Sequence, residues 1–451
     1  MGNTSHPGPS DRSTLELLRP EDPGYDSARR VWNAMVDRKP ALVARCRSAR
    51  DVVTAIRLAR HEGLEIGVRC GGHSVVGHAV PDRGLMIDLT ALARVRVDPD
   101  RRRAWVQGGA LLGALDAATQ PHGLATTAGN VSHTGVGGLT LGGGMGWLAR
   151  AHGLTCDNLV SCEVVTAGGE VVRASATANP ELFWGLRGGG GNFGVVTEFE
   201  LQLHATGTQA LSVELDFPVT DAWRAVTRWR DLAMDAPRQA TYAATVAGGV
   251  VTLGFVWVGD AAGGREHARA LEALGEPREQ RVVELSYLDL QRREDTLQEH
   301  AHRCYWKGHY FRELSDPAIE ALLAHDPAVV ASLQAYGGAI AEVPDDATAF
   351  SQRQTAFEYV GASRWTDPGE DEERMSSARA SAARLAPFAS GAYVNALGDE
   401  GVAGVRRAYS PAKLARLTRL KDAVDPDNLF HLNHNIPPSS AAGEPMRTLF
   451  A

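Results

Sequence analysis

Apolar residues recur at helical spacing through Val52, Val53, Ile56 and Leu58, behind Ser48 and Asp51, and the run stops at Gly63. This pattern predicts a capped amphipathic helix. Residues 64–68 and 85–88 are short apolar runs that read as strands, so the region alternates α with β. Residues 95–97 and 104–106 flank Asp98-Pro99-Asp100, and residues 163–166 and 170–172 flank Ala167-Gly168-Gly169. Both arrangements predict hairpins. After about His204 the runs become longer, more amphipathic and poorer in glycine, through Trp223, Leu232, Leu290 and Leu322, which predicts a second lobe. Near the end, Ser410-Pro411 opens a helical stripe of Leu414, Leu417, Leu420 and Val424 that closes at Asp425-Pro426-Asp427-Asn428. The tail over residues 439–443 reads as loose, and no repeat or heptad run is present.

Composition narrows the function classes. The 451 residues, 44% hydrophobic, can bury a large core in more than one lobe. A formal net charge of −8 without a basic stripe argues against a nucleic-acid binder, so a small-molecule substrate is expected. Cys46, Cys70, Cys156, Cys162 and Cys304 are odd in number and lack paired zinc-ligand spacing, which predicts reduced thiols and no metal. The opening residues lack the apolar core of a signal peptide, and His6 stands where myristoylation needs Ser or Thr. No apolar run approaches the roughly 18 residues that span a bilayer, so no membrane association and a cytoplasmic location are expected.

The 48 glycines are clustered, at Gly71-Gly72, across residues 135–146, and at Gly188 to Gly191 with Gly194. Alone, Gly71-Gly72-His73 is an ordinary strand-ending turn. Three clusters together point to backbone N–H groups facing a shared anion such as a dinucleotide pyrophosphate. A Rossmann fingerprint fits poorly: Gly142 to Gly146 are dense enough, and Glu163 lies near the ribose-binding distance, but no clean βαβ unit surrounds them.

The ordered set of Arg69-Cys70-Gly71-Gly72-His73-Ser74, Gly135-Val136-Gly137-Gly138 with Gly142-Gly143-Gly144, Gly153-Leu154-Thr155-Cys156-Asp157-Asn158-Leu159, Asn192-Phe193-Gly194-Val195-Val196-Thr197, and Asp425-Pro426-Asp427-Asn428-Leu429-Phe430 with Asn433 and Asn435-Ile436-Pro437 resembles the berberine-bridge-enzyme-like FAD-linked oxidases of the vanillyl-alcohol-oxidase type. The resemblance spans nearly the whole chain. It implies an α+β protein whose two-part FAD-binding domain, residues 1–205 and 390–451, encloses a substrate domain, residues 206–389, built on an antiparallel sheet with helices. It implies FAD bonded covalently through the His73 ring. Relatives with a second, cysteinyl bond carry the thiol at a position that is Val131 here, so a single histidyl bond is expected. The implied cofactor-binding residues are Arg69, Cys70, Gly71, Gly72, His73, Ser74, His78, Ser132, Gly135, Gly137, Gly138, Leu139, Gly142, Gly143, Gly146, Asp157, Gly194, Val195, Val196, Tyr393, Asn395 and Asn433.

Oxidation of an alcohol or amine requires hydride transfer to flavin N5 and a group that takes the substrate proton. Relatives often hold a Tyr-x-Asn-Tyr segment, but Tyr393-Val394-Asn395-Ala396 ends in alanine. Tyr409 matches a tyrosine before the C-terminal helix in relatives and is the first candidate, against its reading as a packed aromatic capping a carbonyl. Arg353, Glu358 and Tyr359 could point from a strand into the cavity, with alternation dividing them between faces; Tyr359 is the second candidate. His133 stands open between a hydrogen-bonding role near the flavin and a loop histidine without chemistry, while His78 reads as support for the His73 loop and His152 as structural. The expected activity is oxidation of a hydroxyl or amine on a small ring-containing metabolite of secondary metabolism, with dioxygen as acceptor. A dehydrogenase, or a non-redox cyclisation or isomerisation on the same fold, is the alternative.

Overall fold

The computed structural model describes residues 15–295 and 302–441; the N-terminal stretch with His6, and the tail beyond residue 441, lie outside these. The helix Ala49–Glu62 begins where Ser48 Oγ accepts the Asp51 amide and ends at Gly63, whose left-handed backbone (φ 65°) lets its N–H reach Ala59 O. Its buried stripe of Val52, Ala55, Ile56 and Ala59 packs on a four-stranded sheet. That sheet is ordered β1 (Glu16–Leu18), β2 (Leu42–Arg45), β4 (Leu85–Asp88), β3 (Ile66–Arg69), with β2 and β3 parallel to β4. The parallel register points the end of β3 toward the His73 loop.

Both expected hairpins form, as β5 (Val95–Asp98) with β6 (Arg103–Gln107) and β8 (Leu159–Val165) with β9 (Val171–Ser175). They join β10 (Val195–Gln202) in an antiparallel sheet ordered β5-β6-β10-β8-β9, and the short β7 (Leu124–Ala125) pairs separately with β11 (His204–Ala205). The glycine-dense stretch between β7 and β8 contains the helix Val136–Gly142.

A third sheet has seven antiparallel strands in the order β15 (Glu279–Ser286), β12 (Gln209–Pro218), β14 (Val250–Val258), β13 (Ala240–Ala247), β17 (Val330–Ala335), β18 (Phe357–Trp365), β16 (Arg303–Phe311). One face carries the helices Trp223–Met234, Asp316–Leu323 and Asp371–Leu385 over a core that includes Trp229, Phe357 and Tyr359. The class is α+β, with helices on one face of an antiparallel sheet, as the sequence predicts.

The C-terminal helix Pro411–Val424 starts at Ser410, whose Oγ accepts the Lys413 amide, and inserts Leu417 and Leu420 among Leu182, Trp184 and Phe193. Beyond it, buried Lys421 donates to Asp425 Oδ2 (2.7 Å), Asn192 O (2.9 Å) and Phe430 O (3.0 Å), which pins the returning chain to the loop before β10. Of the tail read as loose, Ser439–Ala441 forms a short turn tied to Asp422 by Ser439 N (2.7 Å) and Oγ (2.6 Å).

Candidate active site

Between the glycine loops and the open face of the seven-stranded sheet lies a cavity of about 700 Å³, the size of small-molecule and cofactor sites. Its two walls differ in construction. One is made of backbone. The loops of residues 70–78 and 133–138 touch main chain to main chain: a Cβ on Gly71 would stand 2.3 Å from Gly135 N, and one on Gly135 2.3 Å from Gly71 N. Gly72, with φ 70°, turns the chain into His73. At Gly138 nothing lies within 4 Å of where a Cβ would be, so this position opens onto free space.

Cys70, Gly71, Gly72, His73, Ser74, His78, Gly135, Gly137, Gly138, Leu139, Gly194, Val195, Val196, Tyr393, Asn395 and Asn433 all line this cavity, as does Val131. The His73 ring is stacked on Trp32 at 5.3 Å, and its Nε2 is 2.7 Å from His133 Nδ1. His78 meets His434 edge-on at 4.8 Å and Ser74 Oγ at 3.4 Å; burial, with the neighbouring histidine, depresses His78 well below the usual imidazole range. Burial likewise lowers His434 to about 4 and raises the Cys70 thiol to about 11, so both are neutral near pH 7.

Other expected cofactor residues stand behind the wall. Gly142, Gly143 and Gly146 give room to neighbours: a Cβ would meet Asn395 Oδ1 at 2.0 Å, the Phe350 ring at 2.9 Å and Ala128 O at 1.6 Å respectively. Arg69 donates to Ala28 O, and Ser132 grips the Asp295 carboxylate through N (2.9 Å) and Oγ (2.6 Å). Asp157 is corrected in the same sense. Its carboxylate receives two bonds from the buried Arg353 guanidinium, both 2.7 Å, and the Leu154 amide at 2.9 Å, so it ties the loop before β8 to residues beyond β17.

Side chains build the opposite wall. Along β18, Glu358, Val360, Ala362 and Arg364 face the cavity, while Phe357 and Tyr359 point into the helix-covered core. Tyr359 is therefore not the base: its ring stacks on His309 at 5.9 Å on the far side of the sheet. Tyr409 does not reach the cavity either. Its buried hydroxyl donates to Gly188 O at 2.8 Å, and it packs in the core between the C-terminal return and the glycine loop.

Glu358 holds the position those tyrosines were expected to take. Its Oε2 accepts from Tyr336 OH at 2.7 Å, Tyr336 OH is 3.2 Å from Tyr310 OH, and burial raises the carboxyl to about 7. A carboxyl with that value can exchange a proton near neutrality. The Tyr393 hydroxyl oxygen accepts from Gly144 N (2.6 Å) and Asn395 Nδ2 (2.8 Å), leaving its own hydrogen to donate. Gln334, opposite Glu358 in the β17–β18 register, offers a buried Nε2 without a partner among the described residues, and so does the Oδ1 of neighbouring Asn130. The sequence held no signal for Tyr336 or Gln334. Glu358 was visible only as one of two adjacent residues that a strand must send to opposite faces.

Comparisons with known proteins give the family and the fold. Residues 40–175 match a family described as FAD binding domain, and residues 392–437 one described as berberine and berberine like. The uncharacterized FAD-linked oxidoreductase YgaK of Bacillus subtilis is 30% identical over 445 residues, covering 94% of this chain and 97% of its own. The structure of 6-hydroxy-D-nicotine oxidase from Arthrobacter nicotinovorans superposes with a TM-score of 0.85 at 28% identity, covering 95% of this chain and 99% of that one. Glucooligosaccharide oxidase from Acremonium strictum, with its 6-S-cysteinyl, 8α-N1-histidyl FAD, has a TM-score of 0.85 at 24% identity over 94% of this chain and 97% of that one, a likeness of fold.

Proposed function

Because this chain belongs to the berberine-like FAD-linked oxidoreductases, we propose that it is an oxidase holding one FAD, bonded through His73 alone, and that it oxidises a hydroxyl or amine of a small ring-containing metabolite with dioxygen as acceptor. The observation that carries this reading is one continuous cavity with His73 on its backbone wall and a carboxyl of pKa about 7, Glu358, on its side-chain wall.

The backbone wall suits FAD. Gly138 leaves space a side chain would fill, and Asn433 Oδ1 is buried there without a partner among the described residues. Bound FAD supplies a two-electron acceptor that dioxygen reoxidises. His73 provides the attachment atom. Val131 offers no thiol, and the nearby Cys70 stays protonated and donates to Ala110 O at 3.5 Å, which favours a single bond. Ionised Glu358 takes the proton from the substrate hydroxyl or ammonium, while the Tyr336 hydrogen bond orients its carboxylate. Gln334 and Asn130 also line the cavity and supply amide groups on the substrate side. Among the described residues no helix is long and apolar enough to cross a membrane; a cytoplasmic place in secondary metabolism is part of the proposal.

Acid-precipitated protein is expected to remain yellow and to weigh one FAD more than the chain, with the flavin released in His73→Ala. Colourless precipitate from loaded wild type would sink the covalent reading. Substrate added anaerobically should bleach the flavin and air should restore it with peroxide. Recovery only with an added acceptor would mean a dehydrogenase, and a product of unchanged mass with the flavin oxidised throughout would mean non-redox chemistry.

A further inference from the structure

We propose that His133 directs the attachment of the flavin, by holding His73 in the tautomer whose lone pair lies on Nδ1 and by receiving the Nε2 proton as the bond forms. The proposal rests on the reading of His73 as the attachment residue.

The hydrogen bonds assign the tautomers. His73 Nε2 and His133 Nδ1 are 2.7 Å apart, so one ring nitrogen donates and the other accepts. At the far side of His133, Nε2 lies 3.4 Å from Asp295 O, a carbonyl that can only accept. His133 therefore carries its hydrogen on Nε2 and presents a bare Nδ1. His73 Nε2–H donates to it, which leaves the lone pair of His73 on Nδ1, where the Thr134 hydroxyl, 3.5 Å away, is the nearby donor.

The arrangement is held from three sides. Trp32 stacks on His73 with 12° between the planes. Ser132 fixes Asp295, whose carbonyl faces His133, through bonds of 2.9 and 2.6 Å to its carboxylate. The contact of Gly71 with Gly135 brings the two loops close enough for the rings to meet. His133 is absent from the cavity lining, so it acts through His73 and is a positioning residue.

The chemistry balances with dioxygen as the oxidant. One C–H bond of the flavin 8α-methyl breaks and a bond from that carbon to His73 Nδ1 forms. The imidazole Nε2 proton leaves through His133 to solvent, while the isoalloxazine, holding two electrons more than before, takes up the methyl proton and one from solvent. Dioxygen then removes two electrons and two protons as hydrogen peroxide. Without an acceptor at Nε2, alkylation at Nδ1 would leave a cationic imidazolium against the buried face of Trp32; passing that proton to His133 keeps the linked ring neutral.

The test follows covalent incorporation after FAD is added to flavin-free wild type, His133→Ala and His133→Gln, by flavin fluorescence in acid-precipitated protein and by mass, together with non-covalent FAD affinity and thermal midpoint. Wild type should attach FAD at Nδ1, as read from NMR of the flavin peptide. His133→Ala should bind FAD within about threefold of wild type yet attach it at least about 100-fold more slowly, the lower end for a lost proton acceptor. His133→Gln, which accepts the hydrogen bond but cannot take the proton, should be about tenfold slower and keep the Nδ1 link. A His133→Ala rate within threefold of wild type, or a wild-type link through Nε2, overturns the proposal. Should His133→Ala not fold, a wild-type rate in His133→Gln overturns it. Wild type with no covalent flavin overturns the reading of His73 instead, so the two failures are distinct.

Discussion

The two walls of the cavity are opposites. The wall around His73 is mostly main chain, with Gly71 against Gly135 and Gly138 facing open space, whereas the wall on β17 and β18 is a row of side chains led by Gln334, Glu358 and Arg364. A backbone wall suits a ligand whose shape never changes, because main-chain groups have no rotamers to lose and no identity to mutate. A side-chain wall can be rewritten one residue at a time while the sheet beneath it stays intact. Under the proposed function, the difference separates holding a cofactor from choosing a substrate.

Three substitutions would break or sharpen that contrast. Glu358→Gln should have the largest effect, lowering kcat/KM by about 10²- to 10⁴-fold without loss of FAD. Because the active form is the ionised carboxylate and burial places its pKa at about 7, the wild-type rate should rise as pH increases through about 7, and this limb should vanish in the glutamine variant. A persisting limb would remove Glu358 from the role.

On the other wall, Gly138→Val projects its side chain into empty space and should weaken FAD binding by about 10- to 100-fold, about 1.4–3 kcal/mol. The thermal midpoint of the flavin-free protein should hardly move, as nothing stands within 4 Å of the new Cβ. Equal FAD affinity, measured by fluorescence titration, would mean that the cofactor lies elsewhere.

The smallest effect is expected at Tyr409→Phe. Deleting a buried hydroxyl that donates to Gly188 O should cost about 1 kcal/mol of stability in denaturant unfolding. It should leave kcat/KM within about twofold; a hundredfold fall would return Tyr409 to the list of bases.

Much of the architecture was legible locally. The helix Ala49–Glu62 was marked by Ser48 and Gly63, the helix Pro411–Val424 by Ser410-Pro411, and both hairpins by the turn residues between their strands. The glycine clusters announced a backbone-lined site because glycine density is itself a sequence property. The assignment of Tyr359 over Glu358 failed because a strand alternates faces at every residue, and pattern alone does not say which face meets a cavity. Asp157 was misplaced because its partner, Arg353, is 196 residues away, and Tyr409 because Gly188 is 221 residues away.

The sequence by itself determined the capped helices, the hairpins, the glycine loop that ends in His73 and the membership those motifs imply, since each depends on residues within a few positions of one another. Only the tertiary structure decided that Glu358 faces His73's cavity while Tyr359 is buried behind it, that Asp157 serves Arg353, and that His133 meets His73 across 60 residues of chain. These are matters of register and of long-range packing, in which a shift of one residue or of an ångström changes the partner without changing the local pattern.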